Sequence, residues 1–273
     1  MKIGFWNVAK EDLSDLIVSL VLENQLDIIC LAEITEATVL SFLQKINLQG
    51  SPNKYIQVSC CKDKLTLITS YPALMFEDKS DLYSSVRYVA HNIKTPKVKL
   101  NLISVHLHAK SRWSADDLSG ACTALSINIQ KIEEETNCTN TILIGDFNMN
   151  PFENGMVSAN GLNTVSDLND AFKKRGRIVD NVFYKYFYNP MWNFFGDFKE
   201  PLGTYYYRSP GHISHEWHIY DQVIFRPIMK PYLDKKYIQI VTKIGLYSLT
   251  KQSNRPDAKN YSDHLPIIFT LKL

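Results

Sequence analysis

The residues with the most distinctive chemistry are polar side chains that directly follow short apolar runs. These residues are Asn7 after IGFW, Glu33 after IICLA, His106 after LISV, and Asp146 with Asn148 after ILIG. A further group beside the last strand-like runs consists of Asp221, Asp263 and His264. Mg²⁺ prefers carboxylate and amide oxygens, and imidazoles transfer protons or stabilise charge on phosphate. The residue types therefore predict metal-assisted chemistry supported by two histidines.

The apolar runs predict buried strands, and α/β enzymes carry their chemistry at the polar ends of such strands. Strand-like runs at residues 2–8 and 27–31 alternate with apolar stripes at helical spacing, and the second helix is predicted to start near Thr35. Residues 55–107 contain successive strand-like runs without helical patterns between them, which predicts antiparallel sheet. The first part of the chain thus predicts an α/β fold.

Alternation of helix and strand resumes after this sheet. Ser114 and Asp117 have the spacing of a capping box and predict the start of a long helix that ends near residue 134. Its inward stripe consists of Leu118, Cys122, Leu125, Ile129 and Ile132. The last strands are predicted at residues 220–226, 237–247 and 265–271. No repeat or linker divides the chain, so we expect a single domain over residues 1–273.

Composition sets wide bounds on function. The chain has 273 residues, of which 45% are hydrophobic, and a net charge of +2, which neither supports nor excludes a nucleic-acid partner. Its five cysteines form no regular framework, which favours reduced thiols. We see no secretory signal and no apolar stretch near the roughly 18 residues that span a bilayer. These features predict a cytoplasmic protein without stable membrane association, and the oligomeric state stays open.

Six motifs together resemble the endonuclease/exonuclease/phosphatase superfamily, which has the deoxyribonuclease I-like fold. The motifs are FWN at residues 5–7, LAE at 31–33, SVHL at 104–107, GDFN at 145–148, YDQV at 220–223 and SDHLPI at 262–267. Each motif is weak alone, but GDFN and SDH separated by a YDxV strand are specific. The resemblance spans essentially the whole chain. It implies a four-layer sandwich of two packed mixed β-sheets flanked by helices, with Mg²⁺-dependent phosphoester hydrolysis at one rim.

The resemblance also implies metal ligands and roles around the attacking water. Glu33 would be the main Mg²⁺ ligand, with Asn7 beside it and Asp263 available to the same or a second ion. Mn²⁺ is expected to substitute for Mg²⁺. Asp146 would orient or deprotonate the attacking water, and Asn148 would donate to a phosphate oxygen. Many nucleases of the group carry an acid two residues after the first-strand asparagine, where this chain has alanine, so a second ligand from that strand is not expected.

Two histidines complete the implied site. His264, paired with Asp221, would act as general base or as a hydrogen-bond donor in the transition state. His106 resembles the second histidine of the deoxyribonuclease, sphingomyelinase and inositol-phosphatase branches, where this histidine stabilises the leaving group. Its carboxylate partner is uncertain, with Asp63 as the candidate, and His108 just beyond is predicted to lie off the site. The presence of His106 disfavours the abasic-site branch.

The region between GDFN and YDQV is irregular and rich in aromatic residues, and its role has alternative interpretations. Substrate-binding candidates are Arg112, Tyr188 and Trp192. The sequence GHISHEWH over residues 211–218 suggests either a zinc site or, more simply, a polar loop facing substrate. The basic residues of 173–177 either form a solvated face or contact a phosphate backbone.

The leading functional hypothesis is a Mg²⁺-dependent nuclease that hydrolyses DNA, with RNA less favoured, because unstacked bases can rest on aromatic rings. The alternative keeps the chemistry and takes inositol phosphates, phospholipid head groups or other small phosphoesters as substrate. A third hypothesis is a binding module that retains the fold without activity. That hypothesis is disfavoured because none of the implied catalytic groups is missing from the sequence.

Overall fold

The computed structural model describes residues 1–49, 53–61, 64–81, 84–212, 214–234 and 238–273. The α-helices in these residues are α1 Ser14–Asn24, α2 Glu36–Leu48, α3 Ala115–Thr136, α4 Asn154–Val157 and α5 Leu168–Lys174. Short 3₁₀ helices form at Ala73–Met75, Pro190–Phe194 and Pro227–Tyr232. None of the helices in this part of the chain combines the length and apolar character that crossing a membrane requires.

The strands of the first half lead from the N-terminus to the end of the predicted antiparallel region and into GDFN. They are β1 Lys2–Asn7, β2 Ile28–Ala32, β3 Ile56–Cys61, β4 Leu65–Thr69, β5 Phe76–Asp78, β6 Tyr88–Lys94, β7 Lys99–His106 and β8 Thr141–Asp146. The strands of the second half are shorter. They are β9 Thr164–Val165, β10 Gly176–Val179, β11 Val182–Lys185, β12 Phe187–Tyr188, β13 Tyr205–Tyr207, β14 Glu216–His218, β15 Asp221–Phe225, β16 Gln239–Ile240, β17 Lys243–Ile244, β18 Tyr247–Ser248 and β19 Ile267–Thr270.

Two large sheets form the centre of the protein. The first has the strand order β16-β19-β1-β2-β4-β3, and the second has the order β5-β6-β7-β8-β15-β12-β9. Both are mixed, since β1 pairs with β2 and β7 with β8 in parallel, whereas β19 pairs with β1 and β15 with β8 antiparallel. The sheets pack face to face, with β1 against β8 and β15, and β4 against β6 and β7.

Helices cover the outer faces and complete four layers, as the resemblance implies. The side chains of α1 and α2 share one hydrophobic core with the first sheet and the inner face of the second. The predicted stripe of α3 packs in a separate core on the outer face of the second sheet. Burial of each large aliphatic side chain there contributes about 1.5–3 kcal/mol. Ser114 and Asp117 form the predicted capping box at the start of α3, and Thr35 caps α2.

One predicted strand is wrong. Residues 237–247 do not form a continuous strand, because residues 239–240 pair with β19 whereas Lys243–Ile244 forms a separate hairpin with Tyr247–Ser248. Gly245 has φ of 56° at the turn of this hairpin, a backbone conformation that glycine adopts without steric cost. The first position of the predicted strand, residue 237, lies outside the described residues.

Candidate active site

The site lies at one rim of the sandwich, where strands of both sheets end. In the second sheet His106 pairs with Asp146 in the parallel ladder of β7 and β8, and Asp146 pairs with Asp221 in the antiparallel ladder of β8 and β15. Side chains directly opposite each other in a ladder lie on the same face. The three functional side chains therefore form a row, and Asn7 and Glu33 face them from the first sheet, at and just beyond the ends of β1 and β2.

Asp146 is at the centre of this group and is only 1% exposed. Its Oδ1 accepts the backbone N–H of Asn148 at 2.9 Å, and its Oδ2 accepts Nδ2 of Asn7 at 3.1 Å. The Nε2 atoms of His106 and His264 lie 3.8 Å and 3.9 Å from the same Oδ2. One carboxylate oxygen therefore meets two imidazoles and an amide from three separate segments of the chain.

His264 is oriented by a buried carboxylate. Its Nδ1 donates to Oδ2 of Asp221 at 2.8 Å, and Asp221 is fully buried. This bond leaves Nε2 of His264 directed toward Asp146. Burial acts to lower the pKa of His264, but the charges of Asp221 and Asp146 outweigh it and raise the pKa to about 10. Without a metal ion, His264 is an imidazolium at neutral pH and its Nε2 carries a proton to donate.

The segment around His264 is fixed to the first sheet by its neighbours. The hydroxyl of Ser262 donates to the carbonyl of Asn7 at 2.6 Å and accepts the backbone N–H of His264 at 3.0 Å. Nε1 of Trp6 donates to the carbonyl of His264 at 2.9 Å. The FWN and SDH motifs are thus two halves of one hydrogen-bonded unit that holds the backbone of the histidine.

Glu33 faces His106 across the gap between the sheets. Oε1 of Glu33 lies 3.4 Å from Nε2 of His106, and the Glu33 side chain is 29% exposed. The hydrogen bond from His106 holds the pKa of Glu33 down at about 2, against the opposing effect of burial. Glu33 has φ of 48°, and Asn148 has φ of 50°, so two of the predicted site residues adopt left-handed backbone. Such strain persists where the surrounding structure enforces it, commonly at functional sites.

The other ring nitrogen of His106 has an open hydrogen-bonding position. Nδ1 is buried and has no hydrogen-bond partner among the described residues. The carboxylate suggested as its partner, Asp63, lies outside the described residues. Because Nε2 of His106 faces the carboxylates of Glu33 and Asp146, we place its proton on that nitrogen.

The chemistry of the donors fits a hard divalent cation. Glu33 is ionised and partly exposed, and the amide oxygen of Asn7 uses one lone pair for the N–H of Ala9 at 3.0 Å, which leaves a second lone pair. Asp263 is partly exposed and directly follows Ser262, whose hydroxyl donates to the carbonyl of Asn7. Burial, with a smaller effect from the charges of Asp263 and Asp146, raises the pKa of Tyr205 to about 12. Carboxylate and amide ligands in an acidic setting match what Mg²⁺ prefers.

A second set of possible ligands overlaps the row described above. One atom each of Asp146, Asp221 and His264 lies within 4.8 Å of the others, a spacing that would admit a metal ion. The Nδ1 of His264 is already bonded to Asp221, so an ion placed there would break a buried charge pair. Breaking a buried pair is costly, and the partly exposed carboxylate of Glu33 is therefore the better first ligand.

The structure corrects one predicted substrate contact. Tyr188 is fully buried in the main core, so its ring presents no face to a substrate, and this prediction is wrong. Trp192 is partly exposed and lies 6.2 Å from the ring of Phe152. Arg112 is exposed in the loop after β7, without a described side-chain contact to the site. Trp192 and Arg112 remain predictions.

A series of aromatic rings leads from Trp192 to His264, and sequence analysis did not resolve its members. The ring of Phe152 lies 5.5 Å from His215, and His215 lies 6.3 Å from His218. His218 stacks on Tyr220 at 4.6 Å, and Tyr220 stacks on Tyr205 at 5.2 Å. The series ends where Tyr205 meets the catalytic candidate His264 at 4.7 Å. In the sequence, the one indication that a member of this series lies at the site is the position of Tyr220 directly before Asp221.

Two of the histidines of residues 211–218, His215 and His218, belong to this series rather than to a zinc site. Nδ1 of His218 lies 3.1 Å from Nδ2 of Asn150, and His215 packs edge-on against Phe152. In the part of the chain that the structure describes, only Asp146, Asp221 and His264 group as potential metal ligands. The simpler interpretation, a polar loop beside the site, agrees with these contacts.

The basic residues 173–177 lie at the opposite end of the second sheet. Asp221 opens β15 at the active-site end, and the 3₁₀ helix Pro227–Tyr232 follows the far end of that strand. Helix α5 packs against this 3₁₀ helix. The basic stretch is therefore not adjacent to the site, which disfavours the interpretation that it contacts a phosphate backbone being cleaved there.

Gly145 permits the close approach of β7 and β8 that places Asp146. A Cβ atom at this position would lie 2.0 Å from the carbonyl oxygen of Val105. We expect Gly145→Ala to destabilise the protein by about 1–3 kcal/mol, as overpacking does, and to displace Asp146. Gly120→Ala is the control, because Gly120 lies in α3 with nothing within 4 Å of an added methyl group, and it should stabilise by up to about 1 kcal/mol. Urea unfolding of both variants measures the difference, and equal stability would contradict the packing argument.

The sequence profile of the Endonuclease/Exonuclease/phosphatase family matches residues 4–264. The chain belongs to this family. Proteins of the family are phosphoesterases, which supports a hydrolase. A comparison with curated protein sequences finds no match.

Solved structures with the same fold cover the full length of the chain. D. rerio TDP2 complexed with single-strand DNA product matches with a TM-score of 0.60 and 16% identity, over 100% of this chain and 99% of that one. The human Nocturnin catalytic domain with bound sulfate matches with a TM-score of 0.56 and 16% identity, over 100% of this chain and 94% of the other. The endonuclease domain of TRAS1, a telomere-specific non-LTR retrotransposon, has a TM-score of 0.54 and 10% identity, with coverage of 100% and 98%. These similarities establish the deoxyribonuclease I-like fold.

Proposed function

We propose that the protein is a Mg²⁺-dependent phosphodiesterase, and more specifically a nuclease that hydrolyses DNA. The observation that carries the proposal is the contact of both imidazoles with one oxygen of Asp146, with Glu33 facing them from the other sheet. This arrangement surrounds a single small volume with acids and hydrogen-bond donors. Hydrolysis of a phosphodiester needs both, because the attacking oxygen must lose a proton while negative charge builds on phosphate.

Glu33, Asn7 and Asp263 would hold the metal ion. When bound, Mg²⁺ supplies positive charge against the non-bridging oxygens of the phosphodiester. Because the carboxyl group of Glu33 has a pKa of about 2, it is ionised at any pH at which the enzyme is expected to work. Metal binding at neutral pH therefore does not require this ligand to lose a proton.

Three side chains of the protein have separate roles in the reaction. Asp146, fixed by Asn148 and Asn7, orients the attacking water and accepts its proton. His264 serves as a hydrogen-bond donor rather than as a base, because the charges of Asp221 and Asp146 raise its pKa and favour the protonated ring. His106, with its proton on Nε2, stabilises the leaving oxygen.

Asn148 contributes a further donor. Its Nδ2 donates one hydrogen to the carbonyl of Leu107 at 3.0 Å, and the second amide hydrogen has no described acceptor. The first bond fixes the plane of the amide, so the second N–H has a defined direction toward a phosphate oxygen.

The aromatic series beside His264 supports a nucleic-acid substrate. Tyr205 is partly exposed next to the histidine, and Phe152 is 37% exposed farther along. Bases stack on such rings with about 1–3 kcal/mol each, and this contribution is tolerant of sequence. The similar structure of D. rerio TDP2 is complexed with a single-strand DNA product, which is consistent with the proposal.

The test is cleavage of defined substrates by the purified protein. Single-stranded DNA, duplex DNA, RNA and inositol phosphates are incubated with Mg²⁺, with Mn²⁺ or with EDTA, and products are separated by size. We expect cleavage of DNA that requires the metal. Release of inorganic phosphate from inositol phosphates without DNA cleavage would overturn the nuclease assignment in favour of a small phosphoester substrate. If none of the substrates is hydrolysed, the proposal that the protein is a phosphodiesterase would be overturned.

Substitution of Glu33 tests whether this residue binds the metal ion. We expect Glu33→Gln to weaken Mn²⁺ binding by at least about tenfold in calorimetric titration, because removal of the charge acts directly on the ligand. Glu36→Gln is the matched control, since Glu36 is exposed in the first turn of α2. Equal Mn²⁺ affinity in the two variants would show that Glu33 is not a ligand.

A further inference from the structure

The hairpin of β10 and β11 exposes large apolar side chains. Ile178 lies opposite Phe183 in this ladder, so the two side chains share a face, and they are 70% and 53% exposed. The ring of Phe183 runs back along that face, because a Cβ atom at Gly176 would lie 2.5 Å from its Cζ. Asp180 and Asn181 form the two-residue turn with φ of 48° and 63°, as a type I′ turn requires. The hairpin therefore holds an apolar face in a defined shape against solvent.

A cavity of about 280 Å³ continues this face into the protein. Phe183 lines it from the hairpin, and Pro227 and Ile228 line it from the segment that follows β15. Ile228 is exposed, and we call Ile178, Phe183 and Ile228 together the hairpin surface. Sites for small molecules usually enclose roughly 300–1,000 Å³, so this cavity is at their lower limit. Its size suits one large side chain of a partner better than a complete cofactor.

The cavity beside the hairpin surface is also lined by basic side chains, namely Arg175, Lys185 and Arg226. Glu133 is paired with Lys185 and with Arg226. In contrast, Nη1 of Arg175 is buried and has no hydrogen-bond partner among the described residues. A buried donor without an acceptor costs free energy, which an acceptor on a ligand would recover. The cavity therefore favours an occupant that carries an anionic group next to its apolar part.

Positive charge is concentrated around the hairpin surface. Residues 171–186 contain five basic residues and one acidic residue, whereas the whole chain has a net charge of only +2. Exposed apolar patches with polar rims mark protein-binding surfaces, and the binding energy there comes mainly from a few large side chains that fill pockets. Charge complementarity with this rim requires acidic residues around the apolar side chain of the partner.

The same observations disfavour three other occupants. Asp180 and Asn181 are exposed at the tip of the hairpin, where insertion into a membrane would require apolar side chains. Ile178 and Ile228 are aliphatic and offer no ring on which a nucleic-acid base could stack. A second copy bound through the same surface would bring the basic residues of both copies together.

We propose that the hairpin surface and its cavity dock an acidic peptide segment of a partner protein, with one large apolar side chain of that segment in the cavity. Acidic side chains of the segment pair with Arg175 and with the neighbouring basic residues. Ile228 follows the end of β15 that is opposite to Asp221, so the docked partner leaves the active site open. The surface would thus bring the protein to a partner while its active site stays available.

The test begins with a selection of peptides. The full chain, without Mg²⁺ and without substrate, is immobilised and exposed to a phage library of random 12-residue peptides. We expect the recovered peptides to share one large apolar residue flanked by Asp or Glu. Fluorescence anisotropy gives the affinity of the most enriched peptide, and replacing its apolar residue by serine or its acids by amides should each weaken binding about tenfold. Because no catalysis is measured, the result is independent of the proposed phosphodiesterase function.

Variants locate the binding on the hairpin surface. Phe183→Ser should weaken binding of the enriched peptide about tenfold, because the apolar area that the peptide would cover is lost. Phe198→Ser is the matched control, since Phe198 is 99% exposed in another loop, and it should bind the peptide as the wild type does. A thermal melt checks that each variant is folded. Ile178→Ser is a second variant of the surface if replacement of Phe183 prevents folding.

A further pair of variants measures the electrostatic part of the binding. Arg175→Gln should weaken binding of the enriched peptide about threefold to tenfold, and added NaCl should weaken binding to the wild type. Arg208→Gln is the matched control, because Arg208 is exposed and pairs with Glu216 in the hairpin of β13 and β14. It should retain the affinity of the wild type.

Several outcomes would overturn the docking proposal. They are the absence of any enriched sequence, enriched peptides without acidic residues, and equal affinity of Phe183→Ser and Phe198→Ser for the enriched peptide. The other occupants are tested with phosphatidylserine vesicles, with a 20-nucleotide DNA in EDTA, and by analytical ultracentrifugation of the protein alone. Binding to vesicles or DNA, or a dimer, that is lost in Phe183→Ser would assign the surface to that occupant instead.

Discussion

Replacement of His264 by alanine is expected to lower kcat for phosphodiester cleavage by about 10²- to 10⁴-fold, the usual contribution of a positioned proton donor or acceptor. The reason is geometric, since Nε2 of His264 lies 3.9 Å from the carboxylate of Asp146 while its Nδ1 is held by the buried carboxylate of Asp221. Because the lost interaction belongs to the transition state, kcat and kcat/KM should fall together. Single-turnover cleavage of a labelled oligonucleotide measures the effect.

His212→Ala is the control for this experiment, because His212 is exposed in the loop between β13 and β14. It should retain wild-type kcat. If His264→Ala cleaved as fast as this control, the assignment of the site would be wrong. A thermal melt of both variants shows that the comparison is made on folded protein.

The pH dependence of the cleavage rate distinguishes whether His264 acts as a proton donor or as a base. A group whose pKa is raised on folding to about 10 contributes stability that is present below its unfolded value near 6.5 and lost as pH rises through 10. A protonated donor gives activity that persists through neutral pH and declines on the alkaline side. Asp221→Asn removes the charge that most raises the pKa of His264, so we expect the alkaline decline of the variant to move to lower pH. An unchanged alkaline limb in Asp221→Asn would argue against His264 as the titrating donor.

The strand-end residues of the site were predictable from sequence because their positions follow from local patterns. Apolar runs that stop at Asp146 and Glu33 indicate strands and the rim at which they end, and parallel neighbours bring such ends together. The four layers were implied by the resemblance to the deoxyribonuclease I-like fold, whereas the alternation of helix and strand by itself predicts only an α/β fold. The sequence patterns predict antiparallel sheet in residues 55–107 but not the register between β6 and β7, which sets Tyr88 opposite Val105.

The prediction that Tyr188 contacts the substrate was wrong for a different physical reason. A tyrosine in a half-buried strand can point to either face, and a shift of one residue exchanges core and surface. Tyr188 points into the core, whereas Tyr205, from the neighbouring aromatic cluster, reaches His264 through an isolated bridge between the strands. The composition shows that aromatic rings are abundant, but tertiary packing decides whether each ring faces the core or the site.

The largest expected loss of stability comes from a residue far from the chemistry, Glu133 of α3. Its side chain is 1% exposed, and its Oε1 accepts Nε of Arg226 at 2.7 Å and the hydroxyl of Thr141 at 2.9 Å. Its Oε2 accepts Nζ of Lys185 at 3.0 Å. Arg226 is itself buried and stacks on Phe187 at 3.9 Å. Helix α3 is thereby fixed to β8 and to the far end of β15.

Removal of one partner leaves a buried charge without compensation. We expect Glu133→Ala to lower the free energy of unfolding by about 3–5 kcal/mol, the range for a broken buried ion pair. Glu134→Ala, one residue along the same helix and exposed, should change it by no more than about 0.5 kcal/mol. Urea unfolding at neutral pH measures both variants, and similar midpoints for the two would contradict the role of the pair.

Substitutions at the Glu133–Arg226 pair are expected to change the stability of the protein without changing its catalytic activity. Arg226 follows the last residue of β15, whereas Asp221 opens that strand at the active-site end, so the strand connects the ion pair to the site without any shared side chain. Replacing both charges, as in Glu133→Leu with Arg226→Met, removes the uncompensated charge and should recover most of the lost stability. The specific activity of the folded double variant should equal that of the wild type, because His106, Asp146 and His264 keep their contacts. A loss of activity in a stable double variant would instead mean that the far end of β15 also sets the position of Asp221.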